Sequence, residues 1–161
     1  MVEVNPAFRR RLQIIPEILR RRLRPVMEKS ADELVEMMRT LVPVDDGDLR
    51  ASIGWTWGDA PKGALVLDEL KTKGDKSSRI VIYAGNEKAY YAAWVEFGTS
   101  PHSVATNASV SRQKRQGQGA FHPGATASPF FWPAYRALKN RIKSRITRAI
   151  RAAIRESSGV R

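Results

Sequence analysis

The sequence predicts an α+β fold: a small antiparallel β-sheet of three to four strands packed by a long N-terminal helix, a short central helix and a long basic C-terminal helix. Three observations lead there. Apolar residues recur every three or four positions near both ends, which is the spacing of one helix face. The middle of the chain instead alternates apolar and polar residues or runs through β-branched ones, the pattern of short strands. Finally, 161 residues with 42% hydrophobic side chains suffice for one domain with a real core (1–161) and not comfortably for two.

The N-terminal helix is expected over residues 6–41, its first part (1–29) forming a basic arm. Phe8, Leu12, Ile15, Leu19 and Leu23 make its apolar stripe, with Arg9, Arg10, Arg20 and Arg21 largely off it. Pro16 and Pro25 each remove a backbone donor and crowd the preceding turn. A kink or break is therefore expected near Pro25, with Ser30 or Asp32 capping a restart. Leu34, Met37, Met38 and Leu41 continue the stripe as core until Val42-Pro43 ends the helix.

PVDDGD (43–48) reads as a turn, because Gly47 permits positive φ and Asp side chains bond nearby backbone donors. Asp45, Asp46 and Asp48 lack the ligand spread and closing Glu of a calcium loop. Asp48–Ile53 can begin a helical turn or lead into a strand, and Ile53, Trp55 and Trp57 alternate at the strand period. GALVLDEL offers a second short strand ending near Leu70, KTKGDKSS is a polar loop, and Arg79–Gly85 is the clearest strand. So small a sheet needs a helix over one face.

KAYYAAWVEF (88–97) reads as the central helix, stopped by Gly98. Tyr90, Ala93, Trp94 and Phe97 fall on one face, expected to pack on the sheet. Residues 99–127 show no periodicity and are expected to form a long loop, either mobile or a contact loop ordered by a partner. His102 and His122, in or beside it, read as loop histidines. The C-terminal helix is expected over 134–156, about 35 Å long. Leu138, Ile142, Ile146, Ile150 and Ile154 recur every fourth residue, and a strict spacing of four winds slowly round a helix. The stripe should thus pack on the domain near its start and meet a neighbouring subunit near its end.

Charge is concentrated at the two ends. Residues 1–29 carry a net +5, residues 30–133 a net −1 and residues 134–161 a net +8, summing to +12. Two cationic arms around a neutral centre imply an acidic partner: nucleic acid, an anionic membrane or acidic protein. Without Cys, a disulfide framework, a thiolate nucleophile and thiolate metal ligation are excluded, and two His argue against a multi-His metal centre. No apolar run approaches the roughly 18 residues of a membrane span, and the opening MVEVNPAFRRR lacks the apolar segment of a signal peptide. No catalytic group, cofactor or metal is expected, and no membrane partner.

Three segments carry a family resemblance. LVPVDDGDLRASI resembles a "VPVDTGxLRxSI" segment, YYAAWVEFGTSPH a "YAxxVEFGT" hallmark, and FHPGATASPFFWPAYRAL a "PGxxAxPFLxPAL" ending. All three belong, in this order, to a minor tail and head–tail joining (tail-completion) family of long-tailed bacteriophages, and the likeness covers roughly residues 30–140. Asp46 stands where the family has Thr, Asp48 where a basic or polar residue is common, and Trp132 where Arg is frequent. The resemblance implies a small α+β structural protein of the virion neck, made in the host cytoplasm and assembled as a ring, sixfold by analogy with tail symmetry. Its implied partners are its own copies, the capsid connector (adaptor) or stopper ring, and the tail terminator or tail tube protein, with packaged DNA in the channel.

On that reading Asp45, Asp46, Glu96, Phe130, Phe131, Trp132, Ile146, Ile150 and Ile154 are candidate subunit-interface residues. Glu96 is expected to be satisfied by an Arg or by backbone donors, and Phe130, Phe131 and Trp132 to act as core and interface anchors. Arg141, Lys143, Arg145, Arg148, Arg151 and Arg155 are candidates for lining the DNA channel or meeting acidic subunits. Competing readings are a tail terminator ring, a free nucleic-acid-binding protein using the basic C-terminal helix, and a nuclease. The last has Asp45, Asp46, Asp48 and His122 as its plausible pieces, with nothing in the sequence to bring them together.

Overall fold

In a computed structural model, the chain is described over residues 6–66, 79–103 and 121–159, with side chains from Ile15 to Ser157 within those ranges. Helix α1 (Pro6–Leu41) leads through a turn into the short α2 (Asp48–Ser52) and strand β1 (Gly54–Trp57). Strand β2 (Ile80–Tyr83), helix α3 (Ala92–Phe97), the two-residue strands β3 (His102–Ser103) and β4 (Phe121–His122), and helix α4 (Phe131–Gly159) follow. The class is α+β, built on two long helices.

Among the described residues the strands are arranged differently from what the sequence suggests. β1 pairs antiparallel with β2, Trp55 opposite Ile82, and β3 pairs antiparallel with β4, His102 opposite His122. These are two sheets of two strands, where one sheet of three to four was expected. The second strand reduces, within the described residues, to a single bridge: Leu65 and Ala84 exchange both N–H···O bonds at 2.7 and 3.1 Å. Residues 67–70 of GALVLDEL and the KTKGDKSS loop lie outside the described residues, as do residues 104–120 of the expected contact loop. That loop's two ends are paired rather than shapeless, through β3–β4 and a Thr99–Ala125 bridge.

Helix α1 runs unbroken through both prolines, so the expected break at Pro25 is absent. Neither expected cap performs that role. Ser30 Oγ donates to the Val26 carbonyl one turn back, inside the helix, and Asp32 accepts the Trp55 indole N–H at 2.7 Å. Packing outweighs the local cost of the prolines, because α1 lies along α4 and also beneath the β1–β2 sheet. Trp57 donates its indole N–H to Glu28 at 3.2 Å, as Trp55 does to Asp32. Two strand residues rise about 6.8 Å and four helix residues about 6 Å. Residues 55 and 57 of the strand can therefore match residues 28 and 32 of the helix.

The core gathers Leu34, Val35 and Met38 of α1, Leu49 and Ile53 around α2, Ala84, Ala89 and Ala92, and Phe130 with Phe131, Ala134 and Leu138 of α4. Leu41, placed in the core stripe by the sequence, is instead exposed. α1 and α4 are antiparallel: Arg21 and Arg22 reach Glu156, while Arg145 reaches Ser30 and Glu33.

Along α4 the isoleucine stripe behaves as its spacing requires. Each step of four residues turns about 40° past a full revolution. Leu138 is buried, Ile142, Ile146 and Ile150 are half-buried, and Ile154 is 50% exposed. The position facing α1 near the end of α4 is taken by Ala153, which is buried.

Candidate functional site

Two features stand out, one holding the fold and one facing solvent. The first is built on Glu96. Glu96 is 3% exposed and lies in α3. One carboxyl oxygen accepts the backbone N–H groups of Phe130 and Phe131, both at 2.8 Å, and the other accepts that of Trp132 at 3.0 Å. An α-helix starts with four N–H groups that have no intrahelical partner. Here Glu96 takes the first three and Pro133, the fourth residue, has no N–H to satisfy. A negative side chain also complements the positive end of the α4 dipole. Of the two partners expected for Glu96, backbone donors are the ones found.

The surrounding bonds close this junction into a clasp. Ser128 N–H donates to Val95 O at 2.8 Å, and Thr99 and Ala125 exchange backbone bonds at 2.9 and 3.1 Å. Gly98 joins the two sets with φ +73°, and a Cβ there would stand 2.7 Å from the Ala125 carbonyl oxygen. A side chain at 98 would meet both left-handed strain and a backbone clash. The segments YYAAWVEFGTSPH and FHPGATASPFFWPAYRAL are thus the two halves of one hydrogen-bonded unit.

The clasp redistributes the candidate interface residues. Glu96, Phe130 and Phe131 are buried within the chain, leaving Trp132, 39% exposed and edge-to-face with Tyr135, accessible to a neighbour. Asp45 and Asp46 lie exposed in the turn between α1 and α2. The face of α3 expected to pack on the sheet points the other way. Tyr90, Trp94 and Phe97 are more than half exposed, Tyr90 and Trp94 edge-to-face at 5.4 Å, while Ala89, Ala92 and Glu96 are buried. The two possible faces of this short helix are both apolar in sequence, and what decides between them is the cap that Glu96 must reach. That carboxylate in an apolar stretch was the signal for the correct face. A groove of about 800 Å³ lies between α1, β2 and α4, lined by Leu34, Val81, Tyr135 and Ile146, with Lys139 and Lys143 in its wall.

The second feature is cationic. Arg145 turns toward α1: its side chain, 16% exposed, donates to Glu33 at 2.7 and 2.9 Å and to Ser30 at 3.1 Å. Arg141 adds a longer contact to Glu33 at 3.4 Å. The hydrogen bond from Arg145 and the charges of Arg141, Arg145 and Lys29 hold the Glu33 carboxyl below the usual carboxylate range against partial burial. Glu156 is held low in the same way, first by its bond from Arg22 and then by the charges of Arg22 and Arg21. Arg148 donates to the Ser144 carbonyl, and Lys143, Arg151 and Arg155 have no ion-pair partner among the described residues.

Asp45 and Asp46 lie in the turn before α2, Asp48 opens α2 and His122 lies in β4. Among the described residues no group of three His, Asp or Glu side chains could hold a metal ion. His102 and His122 stack across β3–β4 at 5.1 Å; His102 Nδ1 bonds the Ser100 carbonyl and His122 Nδ1 accepts the Gly124 N–H. No described helix is long and apolar enough to cross a membrane.

The model of one protein family, described as "Bacteriophage HK97-gp10, putative tail-component", matches residues 7–98, more than half of the chain. The chain belongs to this HK97-gp10-like family. No curated protein and no solved structure matches it. The matched stretch holds the LVPVDDGDLRASI segment and the VEFG part of the second hallmark, and it includes the basic N-terminal arm that the three strings left out. Residues 121–138 lie beyond the match, and the bonds of the clasp tie them physically to the family's matched part.

Proposed function

We propose that the protein is a non-enzymatic structural component of the phage neck, a ring of identical subunits that completes the tail and joins it to the DNA-filled capsid connector. Membership of a phage tail-component family carries this reading. The exposed Tyr90–Trp94–Phe97 ridge supports the ring, since aromatic side chains that face solvent in one subunit are the residues that anchor subunit contacts. A ring needs two different surfaces that fit each other. The ridge is one, and the groove holding Ile146, with Trp132 and Tyr135 in its wall, offers the other. Asp45, Asp46, Ile150 and Ile154 extend the candidate contacts. Partners on this reading are the stopper or adaptor ring on the head side and the terminator or tube protein on the tail side. The protein then resides in the virion neck, after synthesis in the host cytoplasm.

The test is electron microscopy of particles from a phage that lacks this gene. Filled heads beside separate tails of normal length are expected. Overlong tails would reassign the protein as a tail terminator, and normally joined virions would overturn the neck reading.

A further inference from the structure

The two cationic arms, far apart in the sequence, are brought to one pole of the molecule by the antiparallel α1–α4 pairing. Arg21 and Arg22 of α1 meet Glu156 of α4, so the N-terminal half of α1 and the C-terminal end of α4 lie together. From Arg22 the helix α1 continues 16 residues back to Pro6, whereas α4 continues three beyond Glu156 to Gly159. At 1.5 Å per residue, α1 overhangs α4 by about 20 Å.

The composition of this pole is one-sided. Residues 6–24 of α1 and 148–159 of α4 hold ten basic residues against two acidic ones, and all ten are Arg. Glu156 is shared by two guanidinium groups, whose side chains stay 67% and 52% exposed, so the local charge remains positive and accessible. Arg151 and Arg155 are exposed on the adjoining helix. The opposite half of α1, residues 25–41, has two basic and four acidic residues. With residues 131–147 of α4, which hold five basic residues and no acidic one, that end carries a net +3 against +8 at the pole.

The arrangement of the arginines points to a particular partner. Arg9-Arg10-Arg11 and Arg20-Arg21-Arg22 are triplets 11 residues apart. Eleven residues bring an α-helix within about 20° of three full turns, so the triplets share an azimuth about 16.5 Å apart along the axis. Phosphates of one DNA strand are spaced about 3.4 Å along the duplex axis, so this spacing equals about five steps along that axis. Consecutive arginines also spread over about 200° of the helix circumference. That distribution suits an extended polyanion more than one flat acidic protein face. Guanidinium forks bind phosphate oxygens in pairs and read no sequence.

We infer that the pole formed by the first half of α1 and the last turns of α4 binds the phosphate backbone of duplex DNA without sequence preference. This deepens the neck reading, in which DNA passes close to the protein. The two can fail separately, because binding is read on the isolated protein and joining on particles.

The experiment is fluorescence anisotropy of the full-length protein with a labelled 30-base-pair duplex of arbitrary sequence, across a salt series. The pole variant is Arg151→Glu/Arg155→Glu. Its control, Lys62→Glu/Arg136→Glu, makes the same charge change at two exposed positions away from the pole. Melting curves establish that both variants stay folded. The expected result is salt-dependent binding by the wild type, weakened at least about tenfold by the pole variant, with the salt slope reduced by about two contacts. The control should change affinity by less than about threefold. Equal weakening by both variants would overturn the pole as the site, and absence of salt-dependent binding would overturn the inference outright. Displacement by polyglutamate as effective as by unlabelled DNA would replace DNA with an acidic protein surface.

Discussion

At its first turn α4 is fixed by a buried carboxyl group reaching from a helix 34 residues upstream; at its last turns it carries exposed arginines beside a second cationic helix. The first end has its backbone donors matched to acceptors and its side chains in the core. The second carries more positive charge than Glu156 offsets, with Arg151 and Arg155 exposed to water. Charge at the clasp is absorbed by the fold, so Glu96 touches nothing outside the chain. Charge at the pole is not, so it remains available to a partner. Arg145 marks the divide between them: it has the same residue type and helix as Arg151, yet it is turned inward onto Glu33. A basic residue on this helix can be read as a partner contact only after its acidic neighbours have been located.

Removing the cap should break the comparison most severely. Glu96→Ala strands three backbone donors at the start of α4, two of them buried, and is expected to cost about 3 kcal/mol, read as a shift in the urea midpoint. Glu96→Gln should recover part of that, because one acceptor oxygen remains while the amide nitrogen opposes the third donor. Unchanged midpoints in both would mean that the clasp does not fix α4. Gly98→Ala comes next, at about 2 kcal/mol, since it combines positive φ with a contact on the Ala125 carbonyl. Thermal melting would show it.

Arg145→Ala should cost about 1–2 kcal/mol by breaking a mostly shielded bond pair to Glu33. Arg151→Ala and Arg155→Ala should each stay within about 0.5 kcal/mol. Comparable losses at all three positions would erase the distinction between inward and outward arginines.

Acid provides a gentler probe of the same helix pair. Glu33 and Glu156 are both held below the usual carboxylate range in the folded chain. Their contribution is therefore complete above that range and is lost as the pH falls through the lowered folded-state values. Stability should decline in that acid window, and the decline should shrink in the Glu33→Gln/Glu156→Gln variant. A decline of equal steepness in the variant would place the acid sensitivity elsewhere.

Much of this architecture is legible in the residues. Helical spacing locates α1 and α4, the alternation of Ile53, Trp55 and Trp57 locates β1, and the drift of the isoleucine stripe anticipates the exposure of Ile154. What escapes local reading depends on distant partners. Continuity of α1 through Pro25 comes from packing along α4 and the sheet. The outward aromatic face of α3 follows from Glu96 having to reach backbone donors more than 30 residues away. Pairing of the two ends of segment 99–127 rests on Thr99 meeting Ala125, two residues that no periodicity connects. The cationic pole was visible as two separate charge excesses, and the antiparallel register unites them.

The central proposal is that the pole, and not the clasp, makes the DNA contact on which the neck role depends. It is tested most directly by the infectious titre of a deletion phage complemented with the Arg151→Glu/Arg155→Glu protein. A variant that melts like the wild type should yield a titre lower by orders of magnitude. A wild-type titre would contradict the claim and return those arginines to the role of solvated surface.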